Sequence, residues 1–291
     1  MPVNKLTFKS CAKVNLYLRV LSRRKDGFHN IETLFERIDL CDKVTLKVLA
    51  DKKIEIICKH PDVPRNETNL AYRAAKLLQD RFCRDSGVEI KIDKRIPVAA
   101  GLGGGSSNAA TVLLGLNKLW GLRISRVRLA ELAKKVGSDV AFFIYDTKFA
   151  LGLGRGERIK PLRQLNKVLL WHILAVPRFK VSTPLIYRGW DRLKSKSNKL
   201  VRGLTLPKYD VKMFNASHAL FNSLEAVTLR LYPQVLRVRN MLLQQGLKAV
   251  LMSGSGPAVF GLTSSRKVAA GLAGKLRSRL KSWQIFITKT V

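Results

Sequence analysis

The chain has 291 residues, 46% hydrophobic and 25% charged, a balance that excludes a disordered chain and leaves room for two domains with a core each. Lys and Arg number 54 against 20 Asp and Glu, so the net charge is +34. Such a surface attracts polyanions, but the basic residues are spread along the whole sequence without a nucleic-acid-binding motif, and no specific nucleic-acid partner is expected.

No run approaches membrane-spanning length and no leader pattern precedes the strand-like alternation that starts at Leu6, so a cytoplasmic protein with no membrane partner is expected. Cys11, Cys41, Cys58 and Cys83 form no C-x-x-C pair and have no His at metal-ligand spacing, which reads as reduced structural thiols.

In chain order, Leu6 and Phe8, then Leu16, Leu18 and Val20, then Val44, Leu46 and Val48 alternate as half-buried strands. Leu70, Ala74, Leu77, Leu78 and Phe82 follow helical spacing, and Val88, Ile90 and Ile92 return to a strand. A helix after residues 106–108 carries Ala109, Val112, Leu113, Leu116 and Trp120 on one face. Another is N-capped by Ser125, buries Leu129, Leu132, Ala133 and Val136, and stops at Gly137.

Beyond about residue 160 comes a strand near Leu169–Val176, then a polar stretch from Lys194 to Lys199 that reads as an exposed loop. A helix through Phe221, Leu224, Thr228 and Leu231 precedes one that begins at Pro233 and ends before Gly246. Strands Ala249–Met252 and Ala258–Leu262 flank a Gly-rich turn, followed by a basic helix from Arg266 to Leu280 and a strand near Trp283–Thr288. Strands and helices mixed without regular βαβ alternation predict an α+β fold, mainly antiparallel sheets packed against helices, with two layers in each half.

The sharpest local feature is the run Pro97, Val98, Ala99, Ala100, Gly101, Leu102, Gly103, Gly104, Gly105, Ser106, Ser107 and Asn108, placed between a strand and an apolar helix. Its glycines let the backbone take φ > 0 and approach a ligand closely, and the helix N-terminus at 106–108 aims N–H groups at the same anion. This is a phosphate cradle. It lacks the G-x-x-x-x-G-K-[ST] pattern, and no acidic residue about twenty positions on completes a dinucleotide fingerprint. The run Gly152 to Gly156 reads as a turn between strands.

These residues resemble the second signature motif of the superfamily of galactokinase, homoserine kinase, mevalonate kinase and phosphomevalonate kinase, the GHMP kinases. The stretches Ala12–Leu16 and Met252–Phe260 resemble its first and third motifs in the same order. Within it, Arg24–His29, Gly137–Val140, Gly154–Glu157, Val181–Pro184 and Asn222–Glu225 resemble the kinases that phosphorylate the 2-hydroxyl of 4-diphosphocytidyl-2-C-methyl-D-erythritol in the non-mevalonate isoprenoid pathway. The resemblance implies a two-domain architecture, with an ATP-binding domain over 1–160, a second domain over 161–291 and the active-site cleft between them. It implies ATP as co-substrate, Mg²⁺, a cytidyl diphosphate substrate, and a monomer or homodimer.

Phosphoryl transfer needs an in-line hydroxyl, a proton acceptor and positive charge beside the equatorial oxygens. Asp139 stands at the end of an element, where a carboxylate can project into a cleft, and the resemblance implies that it is the catalytic base. Lys13 lies in an otherwise apolar strand, where an unpaired ammonium is costly, so it needs an acidic partner or a phosphate. The resemblance makes it the active-site lysine, paired with Asp139, with Asn15 orienting the same groups.

On the substrate side, the resemblance sets Phe28 and Tyr187 on the faces of the cytosine and His29 on its edge, with Ser182 and Thr183 nearby. Ser106 or Ser107 is a candidate Mg²⁺ ligand, and no carboxylate cage for a metal is visible. Phe28 stands where relatives more often have Tyr, and Ser223 where they often have Asp. Two alternatives stay open: another GHMP kinase acting on homoserine, mevalonate or a sugar, and a basic nucleic-acid-binding protein.

Overall fold

The computed structural model describes residues 4–83, 85–196, 220–247, 249–263 and 265–291, with the backbone alone for 194–196. Strand β1 (Lys5–Arg23) and strand β2 (His29–Leu49) pair antiparallel from Lys5↔Lys47 to Arg23↔His29, so the separate early strands of the sequence merge into two long ones. Register shifts after Cys11, Asn15 and Val20 absorb the breaks in alternation. From Ala12 to Leu18 every residue of β1 is buried, because both faces of the strand are covered. That explains how Lys13 and Asn15 come to be polar residues in an interior strand.

The first sheet runs β3 (Ile54–Ile57), β4 (Gly87–Asp93), β2, β1, β8 (Phe221–Asn222), with β5 (Phe149–Gly154) on β2 and β6 (Arg158–Pro161) on β5. Its pairs are antiparallel except β3 with β4 and β1 with β8. Helices α1 (Leu70–Phe82), α2 (Gly104–Leu119), α3 (Arg126–Ala133) and α4 (Val140–Ile144) pack with this sheet around Leu46, Ile90, Leu78, Leu113 and Phe142.

The second sheet is antiparallel in the order β11 (Trp283–Lys289), β7 (Trp171–Pro177), β10 (Val259–Thr263), β9 (Val250–Met252). It shares a core with α5 (Thr183–Lys196), α6 (Glu225–Leu231), α7 (Pro233–Gln244) and α8 (Arg266–Arg279), built on Ile173, Trp190, Val238, Met252 and Leu276. A third cluster joins the sheets, with Leu16, Leu34 and Phe149 from the first against Leu174, Leu251 and Phe260 from the second. At this seam Glu36 is fully buried, with His172 Nε2 at 3.0 Å and the Thr290 hydroxyl donating to it at 2.6 Å.

Three sequence expectations change. Phe221 and Asn222 form a strand, and the helix starts only at Glu225, because the Asn222 side chain donates to the Met252 and Gly254 carbonyls while accepting from Leu224 N–H at 2.9 Å. That local turn competes with helix. Residues 194–196, read as loop, close α5, and 197–199 lie outside the described residues. Cys11 and Cys41, expected as thiols, stand directly opposite on β1 and β2 and form a disulfide, while Cys58 and Cys83 are free. Cross-strand register brings the two sulfurs together, which spacing along the chain could not show.

Candidate active site

A cavity of about 480 Å³ opens where the two sheets meet, lined by residues from the glycine loop, β1, the start of α4, the turn before β2, and α5. Gly103 takes φ +67 and N-caps α2, which begins at Gly104, earlier than the sequence suggested. The first helical hydrogen bond is Ser107 N–H to Gly103 O at 2.8 Å, so the N–H groups that precede it belong to Gly104, Gly105 and Ser106. They converge with the positive end of the helix dipole.

The glycines answer to different neighbours. A Cβ on Gly103 would stand 3.0 Å from the Lys13 side chain, and one on Gly104 would stand 2.9 Å from Lys94 Nζ. Gly105 is open, with Leu70 at 3.8 Å as its nearest neighbour. Gly101, Gly103 and Ser106 line the cavity, whereas Ser107 is buried and its hydroxyl pairs with that of Ser10 at 2.8 Å. Pro97, Val98, Ala99, Ala100 and Leu102 shape the loop, which is anchored by Lys13 N–H to Leu102 O at 3.0 Å and Ala258 N–H to Ala100 O at 3.2 Å. Beneath it, Asp42 accepts from the N–H groups of Arg95 and Ile96 and from Asn108, and pairs with the buried Lys94. Burial pushes the Lys94 ammonium down from its usual range, against the opposing pull of Asp42.

Lys13 is 3% exposed, and its ammonium lies 3.4 Å from Asp139 Oδ2 and over the Phe35 ring at 5.4 Å. Asp139 occupies the N-cap position of α4 but makes no capping bond, so its carboxylate turns to Lys13 and the cavity. Asn15 accepts from the Lys13 ammonium and donates to Thr33 Oγ1 at 2.7 Å. Both ends of its amide are therefore engaged, and it fixes Lys13.

At the other end of the cavity, Phe28 is 51% exposed on the turn before β2, with the Arg155 guanidinium 4.9 Å above its ring. His29 is buried and stacks on Tyr187, centroids 5.0 Å apart, and Phe28, His29 and Tyr187 all line the cavity. Its Nε2 is 2.7 Å from Asp191 Oδ1. Burial first, then the charge of Asp139, pushes the Tyr187 phenol well up, so it is neutral throughout the neutral range. Thr183 lines the cavity and its hydroxyl pairs with that of Ser255 at 2.8 Å; Ser182 is exposed beside α5 and outside the lining.

Sequence reasoning named the stretches holding Arg155, Ser223 and Ser253 but gave none of the three a structural role, and it passed over Asp191. Ser223 ties β8 to β1, accepting from Val20 N–H at 3.1 Å. Asp191 carried one readable signal, its position four residues after Tyr187, on the same face of a helix.

Known proteins resemble the chain in sequence and in fold. Residues 69–147 match the GHMP kinases N terminal domain and residues 211–282 the GHMP kinases C terminal domain. A 4-diphosphocytidyl-2-C-methyl-D-erythritol kinase of Bacillus subtilis (strain 168) is 43% identical over 270 residues, 91% of this chain and 92% of that protein. One of Shouchella clausii (strain KSM-K16) is 43% identical over 275 residues, 93% of this chain and 91% of that protein. The crystal structure of a 4-(cytidine 5'-diphospho)-2C-methyl-D-erythritol kinase superposes with a TM-score of 0.81 at 35% identity, covering 98% of this chain and 100% of the other. A homoserine kinase from Cytophaga hutchinsonii, 17% identical with a TM-score of 0.67, shares the fold. The chain belongs to the 4-diphosphocytidyl-2-C-methyl-D-erythritol kinase family of GHMP kinases.

Proposed function

We propose that the protein transfers the γ-phosphoryl group of ATP to the 2-hydroxyl of 4-diphosphocytidyl-2-C-methyl-D-erythritol. The observation that carries this reading is the Lys13–Asp139 pair, 3.4 Å apart, in one cavity with the free N–H end of α2 and the His29–Tyr187 stack. Asp139 accepts the proton as the hydroxyl oxygen bonds to the γ-phosphorus, and the bond from that phosphorus to the β–γ bridging oxygen breaks to release ADP. The N–H groups of Gly104, Gly105 and Ser106 and the Lys13 ammonium stabilise charge on the phosphoryl oxygens.

Mg²⁺, when bound with ATP, offsets charge on the β- and γ-phosphates. Among the described residues no cluster of three metal-ligating side chains exists. The donors in the cavity, the Ser106 hydroxyl and the Asp139 carboxylate, suit an ion that keeps its waters and phosphate ligands.

In this reading the aromatic end takes the cytosine, and Arg155, which lines the cavity over Phe28, supplies charge for the diphosphate. A phosphoryl-transfer assay with ATP and Mg²⁺ tests the reading, using the cytidyl substrate beside homoserine and mevalonate at near-physiological salt so that the +34 charge is screened. Turnover of the cytidyl compound alone is expected; comparable turnover of homoserine or mevalonate overturns the assignment.

A further inference from the structure

Thr183 and Tyr187, one turn apart on α5, line the cavity, and Asp191 follows one turn later on the same face of the helix, behind the lining. Three contacts hold His29 against that face. Tyr187 stacks on it at 5.0 Å, Trp190 packs edge-on at 5.8 Å, and Asp191 Oδ1 lies 2.7 Å from its Nε2. An ionised carboxylate has lone pairs and no proton to give, so the bond to Nε2 is satisfied only when Nε2 carries the hydrogen. The neutral ring then has a bare Nδ1, its one nitrogen left for a ligand.

We propose that Asp191 is a positioning residue that fixes the tautomer of His29, so that the cavity selects a pyrimidine with an amino group at position 4 over one with an oxo group. A bare Nδ1 accepts from a 4-amino group. Against a 4-oxo group it sets acceptor on acceptor, and a buried polar edge left unpaired is penalised. Without Asp191 the ring can move its proton to Nδ1, which suits the oxo compound and repels the amino one. The inference rests on the reading that His29 meets the base, and it adds the group that decides which edge His29 presents.

Two measurements test it. In protein labelled with ¹⁵N-histidine, at a pH where the ring is neutral, the His29 shifts should report a protonated Nε2 and a bare Nδ1, and Asp191→Ala should move the ring toward Nδ1–H. A wild-type ring protonated at Nδ1 overturns the proposal without any variant having to fold. In kinetics, Asp191→Ala should lower the kcat/KM preference for the cytidyl substrate over its uridyl analogue by about tenfold or more, through KM and with ATP unaffected. Asp191→Asn, whose amide can turn its NH2 group to a bare Nε2 and so admits the Nδ1–H tautomer, should lose preference in the same direction. Loss of preference in His29→Ala but not in Asp191→Ala overturns the role of Asp191 and leaves base recognition standing. Full preference in His29→Ala overturns base recognition itself, and the role of Asp191 with it.

Discussion

The Ser253 hydroxyl donates to the Gly101 carbonyl at 3.0 Å, and a Cβ on Gly101 would fall 2.2 Å from the Ser253 carbonyl oxygen. The third motif therefore presses directly on the phosphate loop, and Gly101, at φ +79, is a glycine for packing as much as for conformation. We predict that Gly101→Ala loses both stability and ATP affinity, because backbone must shift.

Gly105→Ala should separate the two effects. Its nearest neighbour is 3.8 Å away and the residue is helical, so alanine leaves stability unchanged or raises it by up to about 1 kcal/mol. The Gly105 N–H is one of those proposed to bind phosphate, and a methyl group beside it is expected to raise KM for ATP. Thermal melts beside ATP titrations check both variants; an unchanged ATP affinity in Gly105→Ala counts against the cradle.

Asp139→Asn should bind ATP nearly as the wild type does and lose roughly 10²–10⁴ in turnover, the usual worth of a general base. The Lys13 ammonium 3.4 Å away would also lose its charge partner. Single-turnover kinetics decides the point: a rate within about tenfold of wild type removes Asp139 as the proton acceptor.

Asp42→Ala should be a stability variant. It strips the buried Lys94 of its carboxylate and leaves the N–H groups of Arg95 and Ile96 without their acceptor, at a cost of about 3–5 kcal/mol. Urea unfolding measures it, and a loss below about 1 kcal/mol would mean that water reaches Lys94.

Tyr187→Ala removes a ring from the base end and should weaken the cytidyl substrate by about 1–3 kcal/mol, with KM for ATP unchanged. Tyr187→Phe should restore most of the loss, since the phenol is neutral and the ring supplies the stack. An alanine variant with wild-type KM for the cytidyl compound would place the base elsewhere.

What the sequence revealed was local chemistry. Ser125 accepts from Arg128 N–H as the N-cap of α3, α1 spans Leu70–Phe82 as its apolar spacing required, and Gly152 to Gly156 leads into the turn between β5 and β6. The glycine loop was readable for the same reason, since its composition has few other uses. The contacts that escaped join distant parts of the chain. His29 and Asp191 are 162 positions apart, and the Cys11–Cys41 bridge depends on the register of β1 against β2. Ser107 looked like a twin of Ser106, but α2 starts early enough to turn its hydroxyl inward to Ser10.

The cluster that joins the two sheets governs how ligands get in. Leu16, Leu34 and Phe149 interdigitate with Leu174, Leu251 and Phe260, and the buried Glu36 is held by His172 and Thr290 across the same boundary. Opening the halves like a book would expose that apolar surface and strand a carboxylate in the gap, both costly. Ligands must therefore enter past a rim that the seam holds in place, where the turn before β2 presents the exposed Phe28.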